Sequence, residues 1–99
     1  MDINKLMQQA QVMQKQLEEA NKQLSATEFE GSASNGLVKI TCNGDHKVLS
    51  VNIDESIINK EDKEMIEDLI MIATNDAINK ADASKKEKFG YLAGGLGIK

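Results

Sequence analysis

Two side chains with chemical reactivity, Cys42 and His46, occur once each and lie four residues apart. A thiol beside an imidazole could act as a nucleophile and its base, but the sequence offers no third group to orient the base and no oxyanion site. Cys42 also falls on the apolar side of an alternating pattern, which favours a buried, unreactive side chain. One cysteine and one histidine cannot supply the ligands of a conventional zinc site. We therefore predict no catalytic residue, no metal site, no cofactor and no small-molecule substrate.

The acidic side chains occur where carboxylates have ordinary structural uses. Asp45, Asp54 and Glu55 lie at predicted turns, where such groups commonly accept hydrogen bonds from the backbone. Asp76 interrupts an apolar band in a predicted helix and is expected at the margin of that band. Because no group of residues has the arrangement of a catalytic site, an enzyme is the least favoured class of function.

Lysine supplies every basic side chain: the chain has 12 lysines against 16 acidic residues and a net charge of -4. This balance is not the basic footprint of a typical nucleic-acid binder, although a local basic surface can exist on an acidic protein. The lysines of the two predicted helices either stabilise helix ends and form solvated faces or contact phosphates, and spacing alone favours the first of these roles. They are Lys5, Lys15 and Lys22 on the first helix and Lys80, Lys85, Lys86 and Lys88 near the end of the second.

A β-hairpin over residues 36–53 is the central element that positions these groups. Apolar residues alternate with their neighbours on both sides of a turn at Asn43-Gly44, a pair that tolerates the positive φ angles of tight turns. The alternating residues are Val38, Ile40 and Cys42 before the turn and Leu49, Val51 and Ile53 after it.

A third, weaker strand is predicted over residues 27–34, with Phe29 and Ala33 on one face and Gly31 at a bulge or close approach. Asn35-Gly36 then forms a second turn into the hairpin. The three strands together predict an antiparallel meander, with the first strand at an edge.

The first helix begins after Asp2, a plausible N-cap, and ends before residues 25–27. Its apolar residues are spaced alternately by three and four, which is the seam of a helix that packs on another helix. The seam consists of Ile3, Leu6, Ala10, Met13, Leu17, Ala20 and Leu24. Packing on the chain's own second helix and packing between chains are equally consistent with it.

The second helix is predicted over residues 60–88, with Asn59 and Asp62 resembling a capping box. Its apolar band is wide enough to pack on a sheet and on another helix. Residues 89–99 contain four glycines, which oppose regular structure, so we predict one domain over residues 1–88 and a flexible tail over 89–99.

A chain of 99 residues without a run long enough to span a bilayer is expected to be a single soluble, cytoplasmic domain with no membrane partner. A small ribbon of strands needs a cover for its apolar face, so we predict a homodimer. The candidate dimer-interface residues lie in the hairpin: Leu37, Val38, Ile40, Val51 and Ile53.

Several strings, in this order, resemble the YbaB/EbfC family of nucleoid-associated proteins: LMQQAQ at 6–11, GLVKITCNG at 36–44, VNID at 51–54, and LI and ATNDA between 69 and 77. The resemblance covers nearly the whole chain. It implies an α+β protomer of order α-β-β-β-α, with a three-stranded antiparallel meander flanked by two long helices. It also implies a tweezer-like homodimer paired mainly through the sheets.

The same resemblance implies binding to double-stranded DNA in the bacterial cytoplasm, at the nucleoid, with effects on nucleoid organisation or gene expression. The seven helix lysines named above become candidate DNA-binding residues, because they lie on the two helices that the family is thought to use. Members of the family commonly carry arginine there. Lysine provides a point charge without arginine's bidentate fork, which favours phosphate contact over base reading.

The alternative hypothesis is a protein-interaction module in which the heptad seam of the first helix binds a partner helix. Displacement by heparin distinguishes the two functions, because a polyanion competes with DNA and not with an apolar helix.

Overall fold

The computed structural model describes residues 2–95, and the side chains of residues 2–90. The elements follow the predicted order α-β-β-β-α and form an α+β fold. They are α1 (Ile3–Ala26), β1 (Glu28–Ala33), β2 (Val38–Asn43), β3 (Val48–Ile53), two 3-10 turns (Glu55–Ile57 and Lys60–Asp62) and α2 (Lys63–Gly95).

Helix α1 has the predicted N-cap, since Asp2 Oδ1 accepts a hydrogen bond of 3.1 Å from the backbone N–H of Asn4. Its other end is fixed to the sheet. Leu24 is buried, and its carbonyl accepts a hydrogen bond of 2.9 Å from the N–H of Gly44. A Cβ atom at Gly44 would overlap Leu24, so glycine is required there for close approach.

The two turns of the meander differ from each other in their backbone conformation. The β1–β2 turn has the expected positive φ angles at Asn35 and Gly36, and also at Ser34. In the β2–β3 turn, however, the positive φ falls on His46 and not on Asn43-Gly44. The reason is that Asn43 closes this turn with its side chain, which accepts hydrogen bonds from two backbone N–H groups further along the turn.

The three strands form one antiparallel sheet in the order β1-β2-β3, and α2 packs on the face over β1 and β2. Val38, Ile40 and Cys42 point from β2 into this core, as the alternation predicts. They meet the small side chains Ala73, Ala77 and Ala81 of α2, which are spaced by four residues and line one side of the helix.

The predicted close approach at Gly31 is confirmed at the contact of α2 with β1. A Cβ atom at this position would overlap the carbonyl of Ala73 and the backbone nitrogen of Ala77, and would lie 2.9 Å from Ala77 Cα. Only hydrogen at position 31 lets the helix backbone rest directly on the strand.

Strand β3 carries apolar side chains that the rest of the chain leaves exposed. Val51 and Ile53 lie opposite Ile40 and Val38, so they share the core-facing side of the sheet, yet Val51 is 53% exposed. The predicted alternation is interrupted at the start of β3. A β-bulge makes Leu49 the extra residue, and Val48 takes the place opposite Cys42.

Helix α2 starts later and ends later than the sequence predicts. Residues 60–62 form a 3-10 turn, and the side chain of Asn59 accepts from none of its N–H groups but donates to Asp62 Oδ2 at 3.2 Å. The helix then continues past the predicted end at residue 88 to Gly95. Glycine weakens a helix but keeps its N–H, so without proline the hydrogen bonding can continue. Residues 96–99 of the predicted flexible tail lie outside the described part of the chain.

The molecule is elongated, with extents of 71 × 23 × 16 Å. The sheet lies at the base of both long helices, since α1 ends on it and α2 begins on it. In the part of the chain that the structure describes, no helix is long and apolar enough to cross a membrane.

Candidate nucleic-acid interface

The two long helices run antiparallel from the sheet and touch near their shared base. Lys88 Nζ of α2 donates a hydrogen bond of 2.7 Å to Gln23 Oε1 of α1. Beyond this contact, the N-terminal half of α1 and the C-terminal end of α2 extend in the same direction, away from the sheet. We call the part of α1 before Leu24 and the part of α2 after Ala81 the arm, and it carries six of the seven candidate lysines, all except Lys80.

The lysines of α2 divide into two groups by their contacts. Lys80 and Lys88 are held within the protein, Lys80 by a hydrogen bond of 2.9 Å to the carbonyl of Glu30 and Lys88 by Gln23. Lys85 and Lys86 are exposed, and among the described residues neither takes part in a hydrogen bond or an ion pair. These two ammonium groups are therefore the ones on α2 that can reach a phosphate without breaking an internal contact.

Lys80 belongs to a group of contacts that we call the β1 edge cap. In this cap Asp76 Oδ2 accepts a hydrogen bond of 3.0 Å from the N–H of Ser32, and Lys80 Nζ lies 3.4 Å from the same carboxylate. The Ser32 N–H, followed by the Lys80 ammonium, lowers the pKa of Asp76 below its ordinary value. The sequence analysis names Lys80 as a candidate DNA-binding residue. In the structure its ammonium group instead takes part in contacts within the chain.

Helix α1 presents its lysines and most of its apolar seam to solvent. Lys5, Lys15 and Lys22 are exposed. Leu24 at the sheet end of the seam is buried and Ala20 is partly buried, whereas Ile3 at the other end is 69% exposed. Packing within the chain therefore accounts for the base of the seam only.

An open cleft of about 630 Å³ lies between α1 and α2 at their base. Its lining mixes amide, carboxylate, hydroxyl and ammonium groups, including Glu19 and Glu87 beside Lys88. Two carboxylates here repel a phosphate backbone, so the cleft is a poor site for DNA, and the outer faces of the arm are better placed.

Cys42 and His46 do not form a pair. Cys42 is fully buried, and burial, assisted by the negative charge of Asp82, raises the pKa of its thiol. His46 Nε2 instead lies 2.6 Å from Asp82 Oδ1 and links the β2–β3 turn to α2. Among the described residues, no cluster of three or more His, Cys, Asp or Glu side chains could hold a metal ion.

The candidate dimer-interface residues differ in their accessibility within one chain. Val38 and Ile40 are buried under α2, Leu37 and Ile53 are partly buried, and Val51 is exposed. Two exposed apolar residues of β3 were absent from the predicted set, namely Val48 and Leu49. Their position in the last strand of a meander, which is an edge strand, is the sequence signal that could have identified them.

Comparison with known proteins gives one consistent result. The model of the YbaB/EbfC DNA-binding family matches residues 1–96. A nucleoid-associated protein of Desulfotalea psychrophila is 39% identical over 99% of this chain and 92% of its own length. One of Rickettsia bellii is 40% identical over 98% of this chain and 91% of its own length.

A similar fold is also found among solved structures. An uncharacterized protein of Helicobacter pylori superposes with a TM-score of 0.77 at 26% sequence identity, covering 93% of this chain and 98% of that one. The likeness therefore extends over both helices and the sheet.

Proposed function

This chain belongs to the YbaB/EbfC DNA-binding family, and we propose that it is a nucleoid-associated protein that binds duplex DNA as a homodimer. In this proposal it acts at the nucleoid in the bacterial cytoplasm and affects nucleoid organisation and gene expression. The family is one of DNA-binding proteins and not of enzymes.

The observation that carries the proposal, beside family membership, is the pair of exposed lysines on the projecting end of α2. Lys85 and Lys86 lie beyond Ala81, the last fully buried residue of α2 among those whose side chains are described. They are therefore on the arm and not on the base. Charges more than about 10 Å apart are largely screened in ordinary buffer, so the acidic residues at the start of α2 do not cancel this local attraction.

Lysine determines the kind of contact. An ammonium group on a flexible stem approaches phosphate oxygens from many directions, whereas bidentate reading of guanine is best done by arginine, which this chain lacks. Binding mainly through phosphates makes affinity strongly dependent on salt and only weakly dependent on sequence.

The homodimer is supported by the apolar surface that one chain leaves open. Val48, Leu49 and Val51 are exposed along β3, next to the helix α2 that covers only the neighbouring strands. In an α-helix Ile78 points roughly 160° away from Asp76, which lies over the β1 edge, so Ile78 faces the β3 side. A second copy of the chain would cover the exposed apolar residues of β3 and the Ile78 side of α2. It would also double the number of lysine-bearing arms.

The test is a salt titration of DNA binding with Lys85→Ala/Lys86→Ala beside a matched control. Lys60→Ala/Lys63→Ala removes the same charge from the 3-10 turn before α2 and from the first residue of α2. We expect the Lys85/Lys86 variant to bind unrelated duplexes with similarly lowered affinity. Its salt slope should become shallower by about 0.9 log units for each phosphate that the variant no longer neutralises.

The control variant should retain a slope close to that of the wild type, because its lysines lie away from the arm. Equal losses in the two variants would show that net charge, and not the arm, determines affinity. If the wild type did not bind DNA in low salt, the proposed function would be wrong.

A second candidate function, a protein-interaction module, is favoured by the exposed seam of α1. Ile3, Leu6 and Leu17 face solvent at heptad spacing, which is the surface that a partner helix recognises. Binding of a partner protein that persists in the presence of heparin and is lost in Leu6→Lys would support this function over DNA binding.

A further inference from the structure

The two edge strands of the sheet differ in whether side chains from the rest of the chain bind their outer backbone groups. β1 and β3 are the outer strands, and each has one side whose backbone groups have no partner strand. Such an edge can pair with another chain, and proteins commonly block it. Among the described residues, side chains bind the outer backbone groups of β1 and not those of β3.

The block at β1 is the β1 edge cap, formed by two side chains of α2. In an antiparallel strand, alternate residues direct both N–H and C=O away from the neighbouring strand. Glu30 and Ser32 are two such residues, and the cap binds the carbonyl of the first and the N–H of the second. An incoming strand would need these same two groups, so it would have to displace Lys80 and Asp76.

The edge at β3 has no equivalent. Within the part of the chain that the structure describes, no side chain donates to or accepts from the backbone of Val48–Ile53. The exposed apolar side chains Val48, Leu49 and Val51 lie on this strand, so the open edge and the open apolar surface coincide.

We propose that Asp76 and Lys80 act as a barrier to strand addition at β1, so that a second copy of this chain joins at β3 and assembly stops at two. This inference rests on the proposed homodimer. A pair joined at β3 has two β1 edges at its outer ends. If those edges were open, pairs could join further pairs without limit, because no other element among residues 2–95 closes the sheet.

The cap also uses charge to keep copies apart at β1. Asp76 lies near the backbone of a strand that carries Glu28 and Glu30, so a second β1 would bring like charges together. Lys80 offsets part of this charge and occupies the outward-facing carbonyl of Glu30.

The experiment compares assembly in Asp76→Ala/Lys80→Ala with that in Lys63→Ala/Glu67→Ala. Lys63 and Glu67 form another lysine–carboxylate pair of α2 at a spacing of four, with a distance of 3.9 Å and both side chains exposed. Both double variants leave the net charge unchanged. Mass would be measured by light scattering on a size-exclusion column over a range of concentrations, and folding by circular dichroism.

We expect the wild type and the Lys63/Glu67 control to have the same mass. The Asp76/Lys80 variant should gain mass with concentration to at least about twice that of the wild type, since two dimers joined at β1 make a tetramer. Adding Ser32→Pro to this variant should remove the gain, because proline supplies no N–H to an incoming strand.

If the double variant failed to fold, Lys80→Ala alone would serve, since it frees the carbonyl of Glu30 and leaves the Asp76–Ser32 contact in place. No gain of mass in any folded variant over the control would overturn the proposal. A monomeric wild type would overturn the homodimer alone. A gain in the Asp76/Lys80 variant relative to that monomer would still support the barrier.

Discussion

At the scale of single residues, Asp76 shows both the reach and the limit of sequence reasoning. The sequence predicts Asp76 at the margin of an apolar band, and the structure shows it partly buried, with Lys80 Nζ at 3.4 Å from its carboxylate. The stronger partner is the N–H of Ser32, which lies 44 residues away in the chain. Periodicity describes one element at a time, so it cannot indicate which strand edge a helix side chain meets.

The same residue gives a prediction about pH. Hydrogen bonding to Ser32, together with Lys80, lowers the pKa of Asp76 in the folded protein. The ionised carboxylate therefore stabilises the folded state above the unfolded pKa of about 3.9, and this contribution is lost as pH falls through the lowered folded pKa. We expect Asp76→Asn to be less stable than the wild type at pH 7 and the difference to shrink below about pH 4.

Urea unfolding at pH 7 and pH 3 would measure this difference. Glu67→Gln is the matched control, because Glu67 pairs with Lys63 on the same helix and accepts no backbone N–H from a strand. A stability difference for Asp76→Asn that stayed constant over this pH range would contradict the assigned role of the charge.

At the scale of elements, the sequence predicts well what depends on local periodicity. Alternation identified all three strands and the buried side of β2, and the heptad spacing identified α1. The bulge at Leu49 and the extension of α2 to Gly95 were not predicted. A bulge depends on how two strands align. The helix end depends on the balance between glycine entropy and continued hydrogen bonding, which composition alone does not give.

The contact of α2 with β1 gives a prediction at this scale. Gly31→Ala places a methyl group against the backbone of Ala73 and Ala77, which cannot move aside as a flexible side chain can. We expect a loss of about 2–3 kcal/mol in the free energy of unfolding, typical of overpacking. Gly90→Ala is the control: its Cβ meets nothing within 4 Å, and alanine is the better helix former, so stability should be unchanged or rise by up to about 1 kcal/mol.

Chemical denaturation of the two glycine variants would provide both values. Similar stabilities for Gly31→Ala and Gly90→Ala would mean that α2 does not rest on β1 as closely as the structure indicates.

At the scale of the whole molecule, the parts have separate tasks that the sequence suggested only in outline. The sheet and the first half of α2 form a base that is apolar on the β3 side and capped on the β1 side. The two long helices form an arm that carries the exposed lysines. Of the candidate lysines, the sequence could not distinguish Lys80 and Lys88 from Lys85 and Lys86, because their spacing on the helix is equivalent and only tertiary contacts separate them.

If the base joins two chains and the arms bind DNA, a change at β3 should affect both properties. Val51 is exposed in one chain, so Val51→Asp should leave the protomer folded, whereas Ile40→Asp would bury a charge in the core. We expect Val51→Asp to be monomeric in sedimentation experiments and to bind DNA more weakly. Its salt slope should be about half that of the wild type, because one arm contacts half as many phosphates as two.

Ser50→Asp introduces the same charge at the adjacent position, on the opposite, polar face of the sheet. It should remain dimeric. A dimeric Val51→Asp would place the contact between chains elsewhere, and a monomeric Ser50→Asp would place it on the polar face.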